Sequence, residues 1–266
     1  MNKTLNIFLI TIISFGLYFV LDDIYFRDVR KGLNEIINQG GISHIVAYLI
    51  FGIPIISGAI LIHNVKGFIG SLGLDKSITK GILFALICTS PMLVGFAAAF
   101  NFNSEITITD ILIKVIAAAF FEELYFRGFL FGQLFRYTRL GFLPSVIIGA
   151  LLFAVIHLYQ STDILTLIGI FLTTLLGAVL FAWTYAEWNY NLWIPVFLHL
   201  FMNLFWLIFS AGENALGGIY ANVCRTSALV LIILLTVLYK RKKGYALEVN
   251  RKTIWMKNEN RSHQLA

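Results

Sequence analysis

The sequence predicts an all-α integral membrane protein, a single bundle of about eight transmembrane helices. Three observations carry that prediction. Of its 266 residues, 59% are hydrophobic and only 13% are charged, against about 25% charged in ordinary soluble domains. The mean hydropathy is +0.83. The apolar residues also gather in runs that approach the roughly 20 residues a helix needs to cross a hydrocarbon core.

Eight such runs can be drawn, at 5–21, 42–62, 79–100, 111–135, 142–159, 164–186, 192–210 and 219–239. The first follows Lys3 as a secretory signal would, but no small-residue cleavage site comes after it and it passes directly into Asp22-Asp23. It therefore reads as a membrane helix. The stretch 22–41 that follows is expected as a loop, re-entrant or amphipathic. The second run has His44 and His63 at its edges, where contact with headgroups accounts for them. Cys88 in the third and Cys224 in the eighth make neither a CxxC site nor a disulfide framework, and read as core thiols. Residues 1–239 are the expected bundle and 240–266 a solvated, basic cytoplasmic tail.

The formal net charge is +6, with much of the excess beyond residue 239. Basic residues next to a membrane span point to an anionic lipid surface rather than to nucleic acid. The Lys and Arg distribution also sets orientation. The tail carries Lys240, Arg241, Lys242, Lys243, Arg251, Lys252, Lys257 and Arg261, which puts the C-terminus in the cytoplasm. An even number of spans puts the N-terminus there too. The loops with Lys66, Lys76 and Lys80, and with Arg136 and Arg139, then fall inside. The loops at 101–110, 160–163 and 211–218 hold no Lys or Arg and fall outside. The stretch 22–41, with Arg27, Arg30 and Lys31, runs against this scheme. Short loops and Ile/Asn/Lys-rich usage suggest a bacterial plasma membrane.

The fourth run is the one the rest of the chain is organised around. It places Glu122, Glu123 and Arg127 inside an apolar segment, where each ionised group costs roughly 2.5–3.5 kcal/mol on insertion scales. Such residues must face the bundle or a wet cavity. Glu123 and Arg127, four apart with the acid first, share a face and can pair. Glu122 lies about 100° away from Glu123 around an α-helix and is left without a partner. The fifth run ends with Phe153-Ala154-Val155-Ile156-His157, and the seventh holds His199 and Asn203 at four-residue spacing. Taken singly, each has a structural reading: a buried pair fixing a helix, or polar bridges between helices. Taken together, they are a water-activating set, with a carboxylate and imidazole to move a proton and donors to hold an oxyanion.

Glu122-Glu123-x-x-x-Arg127, Phe153-x-x-x-His157 and His199-x-x-x-Asn203 resemble the three motifs of the CPBP intramembrane proteases. That family includes the CAAX-processing proteases and the Abi bacteriocin-immunity proteins. The resemblance covers about 111–209, the expected protease core. It implies an endopeptidase acting on a membrane-associated or lipidated peptide. Glu122 and His157 would activate water, His199 and Asn203 would stabilise the oxyanion, and Glu123 and Arg127 would support the helix.

Two histidines and a glutamate are also a zinc set, which here would be Glu122, His157 and His199. The sequence has no HExxH helix, and Asn is a poor zinc ligand, so a metal-free mechanism is preferred. Two other function classes stand beside the peptidase. One is a non-catalytic immunity or scaffold protein; the other is a proton-coupled transporter, which would call for paired broken helices in two related halves that are not evident here.

Overall fold

A computed structural model describes residues 3–256. Among the described residues, six helices are long and apolar enough to cross a membrane: Lys3–Ile37, Gly40–Leu72 (two helices in tandem), Ile78–Ala99, Phe142–Gln160, Ile164–Glu187 and Ile219–Lys242. A shorter apolar helix, Trp193–Ile208, joins them. The fourth expected run contains the helix Ile111–Phe131, whose apolar sequence is interrupted by Lys114, Glu122, Glu123 and Arg127. The protein is thus an all-α polytopic membrane protein, and each expected run corresponds to helix.

Helix α1 (Lys3–Ile37) has 35 residues and does not stop near residue 21. The expected loop at 22–41 is helix as far as Ile37, and the chain turns at Asn38, whose φ is 54°. Acid-first spacing of Asp23 and Arg27 supports the continuation, and Phe26 and Val29 keep an apolar side against the core. At 1.5 Å per residue the helix is about 52 Å long, well beyond a hydrocarbon core of about 30 Å.

The second run is divided into α2 (Gly40–Phe51) and α3 (Ile53–Leu72). Pro54, in the first turn of α3, has no N–H to continue a helix from α2. Gly52 at the break is needed for space, because a Cβ there would collide with the Tyr125 hydroxyl. That hydroxyl donates to the Tyr48 carbonyl at 2.7 Å, joining α2 to the central helix. Helix α4 (Ile78–Ala99) follows, capped by Ser77.

The fourth run begins with a single turn, α5 (Ile108–Asp110), closed by a reciprocal Thr107–Asp110 capping box. Asp110 pairs with Lys114 at 2.7 Å. The Lys114 ammonium first, and Thr107 second, hold its carboxyl down at about 2. Ile111–Phe131 is then wound as a π-helix, and α6 (Gly132–Tyr137) completes the segment. At the junction the Gly132 N–H donates to the Arg127 carbonyl, five residues back. The expectation of one regular α-helix over 111–135 is corrected accordingly. π-helical turns occur mostly at functional sites. Residues Glu123 to Phe131 are all buried, as expected of a helix apolar all round at the centre of a bundle.

Around this axis stand α7 (Phe142–Val155), with a 3-10 turn at Leu158–Gln160, then α8 (Ile164–Glu187), α9 (Trp193–Ile208) and α10 (Ile219–Lys242). The start of α9 is anchored by Asn191. Its Oδ1 accepts from the Trp193 N–H at 3.1 Å, and its Nδ2 donates to the Ser77 carbonyl at 3.0 Å.

The tail differs from expectation. Lys240 is buried and pairs with Glu187 at 3.1 Å. The Glu187 carboxylate also accepts from the backbone N–H groups of Glu248 and Val249, at 3.0 and 2.9 Å. Carbonyls of Trp255, Thr253 and Ile254 accept from the N–H groups of Gly141, Phe142 and Leu143, which open α7. Residues 245–256 therefore form a strap on the bundle rather than a solvated extension. Lys257 and Arg261 lie outside the described residues.

Candidate active site

The π-helix supplies Glu122, Glu123 and Arg127, and α9 supplies His199 and Asn203. Glu123 is fully buried, and one oxygen, Oε1, meets two neighbours. Arg127 Nη1 lies 3.2 Å away and His199 Nδ1 2.9 Å away. A carboxylate only accepts, so the His199 proton facing it is on Nδ1. The other ring nitrogen, Nε2, turns to Glu122, whose Oε2 is 4.0 Å away. Glu122 Oε2 is buried and has no hydrogen-bond partner.

Arg127 is 2% exposed. Its guanidinium carbon sits 4.5 Å from the Phe153 ring centroid and 5.8 Å from that of Phe181. Neither Nη nitrogen has a hydrogen-bond partner. Nη1 is thus an ion-pair contact of Glu123, without its N–H being aimed at the oxygen. Aromatic faces on both sides of a desolvated cation contribute attraction of about 2 kcal/mol each at best. Phe181, from α8, also lies 5.8 Å from the His199 ring, so one aromatic side chain borders both groups that Glu123 binds.

His157 is placed differently. It follows the last turn of α7, where its Nδ1 donates to the Phe153 carbonyl at 2.6 Å and its ring lies 4.5 Å from the Phe153 ring. No hydrogen bond or ion pair links it to Glu122 or His199; Phe153 is its connection to Arg127. With the proton on Nδ1, Nε2 keeps its lone pair and faces no described partner. Asn203 uses one amide hydrogen to reach the Lys114 carbonyl at 2.9 Å. A second hydrogen on the same nitrogen remains.

No group of three His, Cys, Asp or Glu side chains among the described residues is arranged to hold a metal ion. His157 makes no direct hydrogen bond or ion pair with Glu122 or His199, and Glu123 occupies the His199 Nδ1. The zinc set considered from sequence is not assembled.

Residues 104–205 match the family model described as Type II CAAX prenyl endopeptidase Rce1-like. This segment is similar to the Rce1-like endopeptidases. It spans the three motifs and bears out the resemblance to the CAAX-processing branch. The chain also aligns in part with a Bacillus subtilis (strain 168) protein, YdiL, described as "Putative membrane peptidase". The two are 33% identical over 98 residues, which is 37% of this chain and 36% of that one. The match thus spans about a third of the relative's length. No solved structure matches the chain.

The motifs named Glu122, Glu123, Arg127, His157, His199 and Asn203, and direct contacts join Glu122, Glu123, Arg127 and His199. Sequence reasoning missed Phe181 and the Lys114 carbonyl. Nothing in the uniformly apolar run at 164–186 sets Phe181 apart, and a backbone acceptor has no side-chain signal. Phe153 had one: it stands four residues before His157, on the same helix face.

Proposed function

We propose that this protein is an intramembrane endopeptidase that hydrolyses a peptide bond of a membrane-associated or lipidated peptide. One observation carries the reading. Glu122 Oε2 and His199 Nε2, from different helices, face each other at 4.0 Å, beyond a direct hydrogen bond and within the reach of a bridging water. Glu122 takes the proton of the attacking water, shares it with His157 through the free Nε2, and passes it to the leaving amine as the C–N bond breaks. As the carbonyl oxygen becomes negative, the remaining Asn203 amide hydrogen stabilises it, joined by His199 Nε2–H when the ring, held by the Glu123 carboxylate, carries a proton on both nitrogens. Glu123 holds the His199 ring in register, and Arg127 balances Glu123. The chemistry needs no metal. The protein lies in a bacterial plasma membrane with both termini cytoplasmic, and Arg241, Lys242 and Lys243 rest on anionic lipid.

Substitution of Glu122 by Gln should lower cleavage by about a hundredfold or more, with the thermal midpoint in detergent little changed. Comparison of membrane peptides in cells carrying either form would reveal the products without a chosen substrate. Undiminished cleavage in the Gln variant overturns the mechanism.

The lack of a direct hydrogen bond or ion pair between His157 and Glu122 favours a second reading, a peptide-binding immunity or scaffold protein without catalysis. Protection against a toxic peptide that persists in Glu122→Gln would select it.

A further inference from the structure

The first two helices carry no family motif, yet they close one side of the Glu122 environment. Ring contacts fix how α1 meets the π-helix. Phe15 touches Phe126 at 5.2 Å between centroids, and Tyr18 touches Tyr125 at 4.7 Å. Numbers rise along one helix as they fall along the other, so the two run antiparallel. From the Tyr18–Tyr125 contact, Asp22 is one turn onward along α1, about 6 Å. Glu122 is three residues back along the π-helix, in the same direction. The next contact up that seam is Phe26 against Tyr48, at 4.9 Å, with Tyr48 stacked on Phe121 at 5.0 Å. Asp22 and Glu122 therefore lie at one level, between two aromatic layers. Tyr18 and Tyr48 each stand within electrostatic range of both carboxylates.

Neither acid is matched by a Lys or Arg among the described residues. Asp22 Oδ1 is buried without a hydrogen-bond partner, as is Glu122 Oε2, and no ion pair among the described residues involves Asp22. Tyr18 is only 6% exposed, and its hydroxyl has no hydrogen-bond partner among the described residues. A desolvated carboxylate is costly unless a cation or donor meets it, and tyrosine rings add attraction for a cation.

We propose that Asp22 is a specificity-determining residue, binding a lysine or arginine side chain, or a free ammonium group, of a peptide beside the bond presented to Glu122. The proposal rests on the peptidase reading for the position of that bond; the binding preference itself does not require turnover. Glu122 keeps its water on the His199 side, and Asp22 holds the substrate's charge on the α1 side.

The test uses the full chain in detergent with three fluorescent 20-residue apolar peptides, identical except for a central Lys, Arg or Gln. The Lys and Arg peptides should bind about tenfold tighter than the Gln peptide. Asp22→Asn should erase that ratio, and Asp22→Glu should keep most of it. Asp23→Asn, the same charge change at an exposed neighbour, should leave the ratio as it is. Equal affinities in the unaltered protein, or a preference that survives Asp22→Asn, overturn the proposal. The first comparison decides even where Asp22→Asn fails to fold. A preferred peptide that binds but is never cut overturns the peptidase reading alone.

Discussion

Glu123 shares one oxygen between a guanidinium and an imidazole, and it has no contact with water to soften the loss of either. Removing Arg127 leaves that carboxylate buried with only His199 beside it. Breaking a buried ion pair from one side costs roughly 3–5 kcal/mol, so Arg127→Ala should lose stability of that order in denaturant unfolding from detergent micelles. Arg127→Lys keeps the charge but not the flat group that lies between Phe153 and Phe181, and should recover only part of the loss. A wild-type unfolding curve for Arg127→Ala would mean that the carboxylate is satisfied by other groups. The Glu123–Arg127 pair was legible from four-residue spacing alone. The Glu123–His199 bond was not, because it depends on how α9 is rotated about its own axis against a helix wound in π register. The motifs name the residues that meet; they do not say which oxygen meets which nitrogen, and His157, the expected partner of Glu122, makes no direct hydrogen bond to it.

The helices that carry these groups are held by contacts of a kind that hydropathy does not display. Apolar runs located every membrane segment, yet two boundaries moved. Helix α1 outlasts its apolar run because mixed charges at helical spacing are as compatible with helix as with loop. The strap at 245–256 docks through backbone N–H groups bonded to Glu187, and through carbonyls that satisfy the opening turn of α7. A run of Lys and Arg conceals both. Orphan N–H groups at a helix start need such acceptors. Glu187→Ala would strand the buried Lys240 ammonium and release two backbone donors together. The expected result is faster amide hydrogen exchange at Gly141, Phe142 and Leu143, together with 248–249, while the exchange of α4 and α9 stays unchanged. Exchange confined to 248–249 would show that the α7 contacts hold without the carboxylate. His157 lies just beyond the other end of α7.

Contacts between loops sort the molecule into two ends, and the basic residues sort with them. At one end Arg136 donates to the Gly70 and Ser71 carbonyls, Asn191 reaches Ser77, and the strap joins Gly141 to Glu187. At the other, Asn103 bonds to Leu207 and Ile208, Gln160 accepts from Ala215, Arg225 donates to Ala215 and Leu216, and Gln39 reaches Thr109. The first end holds Lys76, Lys80, Arg136, Arg139 and Lys240 to Lys243. The second holds Arg225, which is occupied by carbonyls, and the projecting part of α1. There Arg27, Arg30 and Lys31 are offset by Asp23, Asp28 and Glu35 on the same helix. The segment that ran against the charge rule is therefore a near-neutral helical projection rather than a basic loop. Since Lys and Arg near short loops set orientation, the proposed orientation puts the first end in the cytoplasm. Single cysteines placed in a chain lacking Cys88 and Cys224 test this directly. A membrane-impermeant thiol reagent applied to intact cells should label Asn101→Cys and Glu213→Cys, and should reach Lys76→Cys and Lys242→Cys only after the membrane is opened. The inverted pattern would place the strap outside the cell, remove its contact with anionic cytoplasmic lipid, and turn the Asp22 side of the site towards the cytoplasm.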